Sequence, residues 1–143
     1  MRAATGAFRP LRTVEPGYAR KMGNIVIRRV YDAEPINGAA FLVDGMWPRG
    51  VRKQDLKLDG WARDLAPSPE LRRWFGHRPE CFEEFSLRYR RELDRSPDAV
   101  RPLLDATQRG PVTLLYAARD TEHNNAVVLR DYIRARLATA ARS

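Results

Sequence analysis

The sequence holds one cysteine, Cys81, and only two histidines, His77 and His123. A single thiol excludes an internal disulfide and any cysteine-based zinc cluster. The histidines stand in no His-x-x-x-His spacing. No stretch approaches the run of about 18 apolar residues that a membrane-spanning helix needs. The N-terminus is basic but lacks the apolar core of a secretory signal, so a cytoplasmic location is expected by elimination. There is no internal repeat and no low-complexity tract. Neither a helix-turn-helix nor an RNP-type motif is evident.

What remains is one soluble, charge-rich chain. Its 143 residues suit a single domain with one core. With 43% hydrophobic and 31% charged residues, the composition reads as globular rather than disordered. The formal net charge of +8 favours acidic partners such as nucleotides, phosphate esters or nucleic acid. That charge is uneven, because residues 1–21 carry five basic side chains against Glu15 alone. These residues lack helical or strand periodicity and are expected to form a poorly ordered basic extension, with the folded domain at 22–143. A nucleic-acid-binding arm is the functional alternative for the extension.

Hydrophobic patterning predicts an α/β fold. "NIVIRRVYD" reads as a first strand and "AAFLVD" as a second, ending at Asp44. "LDGWARDLAP" is expected to hold a short edge strand. Ser68 is a candidate cap, with Pro69 at the first position of a helix. Phe82, Phe85, Tyr89 and Leu93 fall on one helical face. Val100, Leu103 and Leu104 mark another helix, stopped at Gly110. Pro102 is tolerable there only if that helix starts near Asp98. "PVTLLYAA" is apolar on both alternations apart from Thr113, as expected of a strand covered on two faces. Ala126, Leu129, Ile133 and Leu137 then line the buried side of a last helix. The expected architecture is one small domain, a largely parallel sheet flanked by helices.

Ligands of open α/β sheets bind beyond the carboxyl ends of the strands, and two segments place polar groups there. In "LVDGMWPRG", Asp44 leaves a strand and Trp47, Pro48, Arg49 and Gly50 make a tight loop. In "YAARDTEHNN", Tyr116, Arg119 and Asp120 leave a strand while His123, Asn124 and Asn125 open a helix. Asp120 or Thr121 can cap that helix, which accounts for one polar residue but not for four. The free N–H groups of the first turn favour an anion, and Arg119 would add a planar donor fork. His123 near the positive helix end is expected to be neutral and able to act as base or donor, with Asp120 on the same helix face as its partner. The alternative is a capping and surface role for the whole cluster.

Arg49 is a second candidate anion contact, its direction set by Pro48 and by close backbone approach at Gly50. Equally, it can tie the loop to Asp44 or Asp64. Trp47, Trp61 and Trp74 read as packing residues before base-stacking platforms. His77 sits in an inter-helix turn, satisfied there or facing the same cleft. Cys81 lies near a helix start, but Glu80, Glu83 and Glu84 oppose its ionisation, so a nucleophilic role is not expected. Asp44, Asp120 and His123 have no metal-ligand spacing, and no metal or cofactor is named by the pattern.

With these residues in hand, the chain resembles the YeaO-like family, a bacterial domain of unknown function. The motifs "FLVDGMWPRG", "WARDLAPSPELRRWFGH", "FEEFSLRYRREL" and "GPVTLLYAARDTEHNNAVVL" carry the resemblance from about Ile25 onward. It implies a small cytoplasmic α/β protein and no established reaction. It also marks Asp44, Trp47, Pro48, Arg49, Gly50, Pro67, Trp74, Phe75, His77, Tyr89, Tyr116, Asp120, His123 and Asn124 as recurring residues. The family pattern reads Asp-Arg-Leu-Trp-Pro-Arg-Gly where this chain has Gly45 and Met46. That loss of a cation beside Asp44 argues against a two-arginine anion clamp.

Two functional expectations follow. One is a small anionic ligand, nucleotide or phosphate ester, at the strand ends. An enzyme there would use His123 as acid or base, Asp120 as its orienter, Arg49 and Arg119 as anion contacts, and Tyr116 as a pocket wall. The other is a nucleic-acid-binding accessory protein, with the basic arm and Arg72, Arg73, Arg88, Arg90 and Arg91 meeting phosphates. Glu92 and Asp94 beside the last of these suggest an ordinary solvated helix face instead.

Overall fold

The computed structural model describes residues 24–32 and 35–142. The expected extension at 1–21, and the arm it was to form, lie outside the described residues. Four strands, β1 (Ile25–Arg29), β2 (Ala39–Leu42), β3 (Gly60–Trp61) and β4 (Val112–Tyr116), make one parallel sheet in the order β1-β4-β2-β3. The helices are α1 (Pro69–Phe75), α2 (Phe82–Asp94), α3 (Pro97–Arg109) and α4 (Asn125–Arg142). This is the expected α/β domain with a parallel sheet, and β3 is the short edge strand expected within 58–67.

β4 lies between β1 and β2, with Ile25 and Ala39 both opposite Val112. That position explains its unbroken apolar sequence, since all five residues are buried. The strand alternation sorts the core into two parts. Ile25, Val112, Leu114 and Tyr116 face the helices and join the stripe Phe85, Tyr89 and Leu93 of α2 and the stripe Ala126, Leu129 and Ile133 of α4. Each such side chain contributes about 1.5–3 kcal/mol by leaving water. Ala40, Leu42 and Leu115 face the other way, where Val30, Ile36, Trp47, Leu56, Leu58 and Trp61 cover them. The helices therefore pack on one face, while the other is closed by the connections around β2.

Local chemistry sets the element ends. The Ser68 hydroxyl accepts from Leu71 N–H at 3.2 Å with Pro69 at the first helical position, so α1 is capped as expected. Ser68 also donates through its N–H and its hydroxyl to the Glu92 carboxylate, at 2.9 and 2.6 Å, which ties α1 to α2. α3 starts at Pro97, one residue before Asp98, and accommodates Pro102 in its second turn. Leu104 is only partly buried, so its stripe is narrower than expected. Gly110 ends the helix as expected, with φ 155° and ψ −166°. Gly38 enters β2 with φ 86°, where a Cβ would lie 2.3 Å from the Pro111 carbonyl oxygen. No other residue fits that crossing.

Candidate functional site at the carboxyl ends of the strands

Asp44 leaves β2 and joins the β4–α4 connection. One carboxylate oxygen accepts from Ala117 N–H at 2.9 Å and the other from the Asn125 amide at 3.1 Å. The same Asn125 amide donates to Val43 O at 3.1 Å. Burial raises the Asp44 pKa, opposed in turn by Asn125, Ala117 N–H, Arg72 and His77. Asn125 was expected only to open the helix; its amide ties the start of α4 to the two residues that follow β2.

The capping arrangement differs from the expected one. Asn124, not Asp120 or Thr121, caps α4: it is 2% exposed, and its side-chain oxygen accepts from Val127 N–H at 3.0 Å. Its amide donates to Asp120 O at 2.8 Å. Asp120 closes the turn before the helix, with one oxygen accepting from Glu122 and His123 N–H, each at 2.9 Å. An aspartate in such a turn competes for local N–H groups, and so the helix begins only after it. His123 precedes the helix, so the pair does not share a helix face. The carboxylate nevertheless holds His123 Nδ1 at 3.0 Å. The Glu122 and His123 N–H groups and the imidazole keep the Asp120 pKa below its ordinary value. Across the ring, His123 stands edge-on to Phe82, centroids 5.2 Å apart.

Tyr116 ends β4 almost fully buried. Burial and the Asp32 charge raise its phenol pKa, against Arg29 and the Asn124 amide. Arg29, the last residue of β1, donates from Nε to Ala118 O at 2.9 Å and lies 5.1 Å from the Tyr31 ring centroid. The Tyr31 hydroxyl donates to Arg49 O at 2.9 Å. Arg29 and Tyr31 thus bring the Arg49 loop to the β1 and β4 ends, a role that single-strand periodicity gave no means to detect. Arg49 and Arg119 are exposed, and among the described residues neither guanidinium has a hydrogen bond or ion pair. Arg49 therefore ties the loop to neither Asp44 nor Asp64.

In the loop itself, the Trp47 indole donates to Val51 O at 2.6 Å and packs edge-on against Trp61, while Trp61 donates to Asp44 O at 2.7 Å. Both are packing residues. Gly50 has φ 78°, and a Cβ there would meet nothing within 4 Å. The left-handed turn requires this glycine, not close backbone approach. His77 follows Gly76 in a second left-handed residue, φ 58°. It is exposed, has no hydrogen bond among the described residues, and its ring lies 6.3 Å from that of Phe75, while its charge acts on Asp44. Cys81 is half-buried against the core.

A cavity of about 500 Å³ opens on the loop-covered face, lined by Arg28, Val30, Ile36, Ala40, Lys57 and Leu115 among others. It touches the strand-end cluster only through Arg29 and Asp32. Among the described residues, no three His, Cys, Asp or Glu side chains are grouped to hold a metal ion. No helix among them is long and apolar enough to cross a membrane. On α1 and α2, Arg88 pairs with Glu84 at 2.9 Å and lies 4.3 Å from the Trp74 ring centroid, while Arg73, Arg90 and Arg91 are exposed.

Several known proteins are similar to this chain. The uncharacterized protein YeaO of Escherichia coli K12 is 42% identical over 112 residues, which cover 78% of this chain and 97% of YeaO. Uncharacterized proteins of Mycobacterium bovis and of Mycobacterium tuberculosis H37Rv are each 42% identical over 111 residues, 77% of this chain and 93% of theirs. No solved structure matches the chain. Residues 24–143 match the family described as the inactive DUF488-N3 subclade. The chain belongs to that family, of which the YeaO-like motifs at its strand ends are the visible mark.

Proposed function

We propose that the protein is a cytoplasmic binder of a small anionic ligand, a phosphate ester or nucleotide, at the carboxyl ends of β1, β2 and β4, and that it holds this ligand without transforming it. One observation carries the reading. The acids and amides at the strand ends are occupied in holding loops, whereas the Arg49 and Arg119 guanidinium groups beside them have no partner among the described residues. Asp44 and Asn125 fix the β2 and β4 ends to each other, and Asp120 and Asn124 fix the start of α4. A rigid frame with unpaired planar donors suits an oxyanion. The description of the family as inactive agrees with binding without turnover.

A catalytic reading rests on the Asp120–His123 pair, which leaves Nε2 of a partly exposed imidazole available as a base. It predicts turnover abolished by His123→Ala, and binding alone does not.

Calorimetric titration with inorganic phosphate, adenosine monophosphate and citrate, at about 0.15 M salt, tests the proposal. Saturable one-to-one binding, weakened in Arg49→Ala and Arg119→Ala and accompanied by no product, is the expected result. Absence of binding by every probe refutes it. Binding only to DNA or RNA, falling steeply with salt, moves the assignment to the basic surface.

A further inference from the structure

Among the described residues, Arg72 is a cation whose side chain the fold has made room for. It lies on α1, half-buried, with its backbone N–H given to Ser68 O and its carbonyl accepting from Gly76 N–H. Its guanidinium reaches over the residue that follows Asp44. A Cβ on Gly45 would lie 2.0 Å from Arg72 Nη1, 3.1 Å from Cζ, and 3.4 Å from the Ala66 Cβ. The backbone of Gly45 has no left-handed φ, so glycine is needed here for space rather than for a turn. Any larger residue at this position evicts the guanidinium from its seat.

The seated group has no hydrogen bond or ion pair among the described residues. Asp44, the acid beside it, has both oxygens occupied by Ala117 N–H and Asn125 and lies beyond ion-pair distance. The charge of Arg72 acts on Asp44 without a hydrogen bond or close ion pair, and a guanidinium partly withdrawn from water with its donors unfilled favours an anion that fills them. His77, without a hydrogen bond and close enough for Asp44 to feel its charge, flanks the same end of β2. The nucleic-acid expectation grouped Arg72 with Arg73 on one outer surface. The structure separates them: Arg73 is exposed on the helix, and Arg72 turns in over the strand end.

We propose, resting on the anion-binding reading above, that Arg72 seated over Gly45 is the anchor of that site and that its ligand presents two coplanar oxygens, as a phosphate monoester or a carboxylate does. The fork of a guanidinium matches such a pair with two parallel donors, which an ammonium cannot do. The cation missing at position 45 is thereby supplied from α1.

The test is titration of the folded full chain with inorganic phosphate, adenosine monophosphate and citrate, in the wild type and five variants, Arg119→Ala among them. Gly45→Ala removes no charge; its close approaches are to the far end of a flexible side chain, with the Ala66 Cβ at ordinary van der Waals distance, so it displaces the guanidinium and leaves the fold. It is expected to weaken binding about tenfold or more, and Arg72→Ala by a similar factor. Arg72→Lys, which keeps the charge without the fork, is expected to fall with them. Arg73→Ala, one residue away and equally cationic, is expected to bind as the wild type does. The strongest of the three probes identifies the oxyanion as phosphate or carboxylate. Wild-type affinity in Gly45→Ala overturns the inference, and so does equal weakening by Arg73→Ala, which marks bulk charge. Binding that survives Arg72→Ala but not Arg119→Ala overturns this inference alone. A wild type that binds none of the probes removes the anion-binding reading as well.

Discussion

Replacing Asn124 with alanine separates a structural role from a ligand-contact role at the most buried polar side chain of the strand ends. Asn124 is 2% exposed and makes two hydrogen bonds that alanine cannot, accepting from Val127 N–H at 3.0 Å and donating to Asp120 O at 2.8 Å. Loss of an N-cap costs about 0.5–2 kcal/mol. The part-buried Asp120 carbonyl, left without its donor, costs about 1–3 kcal/mol. Together these put Asn124→Ala about 1.5–5 kcal/mol below the wild type. For a domain of this size, about 4 °C of melting temperature corresponds to each kcal/mol, so a drop of about 6–20 °C is expected. Asn124→Ser restores the capping oxygen but not the amide donor and should recover about half of that loss. Thermal melts followed by circular dichroism read all three proteins. An alanine variant that melts within about 3 °C of the wild type refutes the capping argument. If it also loses phosphate binding, Asn124 is a ligand contact and not a cap.

Two further perturbations probe the frame. Burial raises the Asp44 pKa above its ordinary 3.8, so the folded protein binds a proton there more readily than the unfolded chain does. The stability this contributes is full below the unfolded pKa and is lost as pH rises through the folded value. Urea titrations across the acid-to-neutral range should therefore show the wild type losing ground to Asp44→Asn as pH increases, with Asp120, present in both, cancelling. A difference that is flat or grows with pH contradicts the assignment. Tyr89→Phe removes the hydroxyl that donates to Leu65 O inside the core. It should lower the unfolding free energy by about 1–2 kcal/mol while leaving phosphate affinity unchanged, and an unchanged urea midpoint would count against it.

The apolar patterns were legible because burial obeys period two or period 3.6. β4 read correctly from "VTLLY" because a central strand must be apolar on both faces, and α2 from the spacing of Phe82, Phe85, Tyr89 and Leu93. The strand order was not legible, since β1, β2 and β4 all present short β-branched or apolar runs and nothing local says which lies in the middle. Nor was the lack of helices on one face, which the loops around Trp47, Leu56 and Leu58 cover instead. At the candidate site, Asp44, Tyr116, Asp120, His123 and Asn124 were found from their places after strands. The division of labour among them was not, because Asp, Thr and Asn all cap helices and only the turn closed by Asp120 decides among them. Arg72 read as one more surface arginine beside Arg73 because its orientation follows from a hydrogen atom at Gly45, which has meaning only once α1 is packed beside β2.

The position of β4 also governs the order in which the molecule can come into being. The strand that holds the sheet together is the last to be synthesised, so β1, β2 and β3 leave the ribosome before the strand that joins them exists. β1 has no other strand neighbour, and β2 has only the two-residue pairing with β3. Until residues 112–116 appear, the apolar sides of α1, α2 and α3 have no completed sheet to cover. Folding of the domain is thus expected to await synthesis of β4, with loop closure spanning almost its whole length. A chain stopped just before β4 would be a set of elements without a centre, and the candidate site, which needs Ala117 and Asn125 to hold Asp44, would form only with the last strand and helix in place.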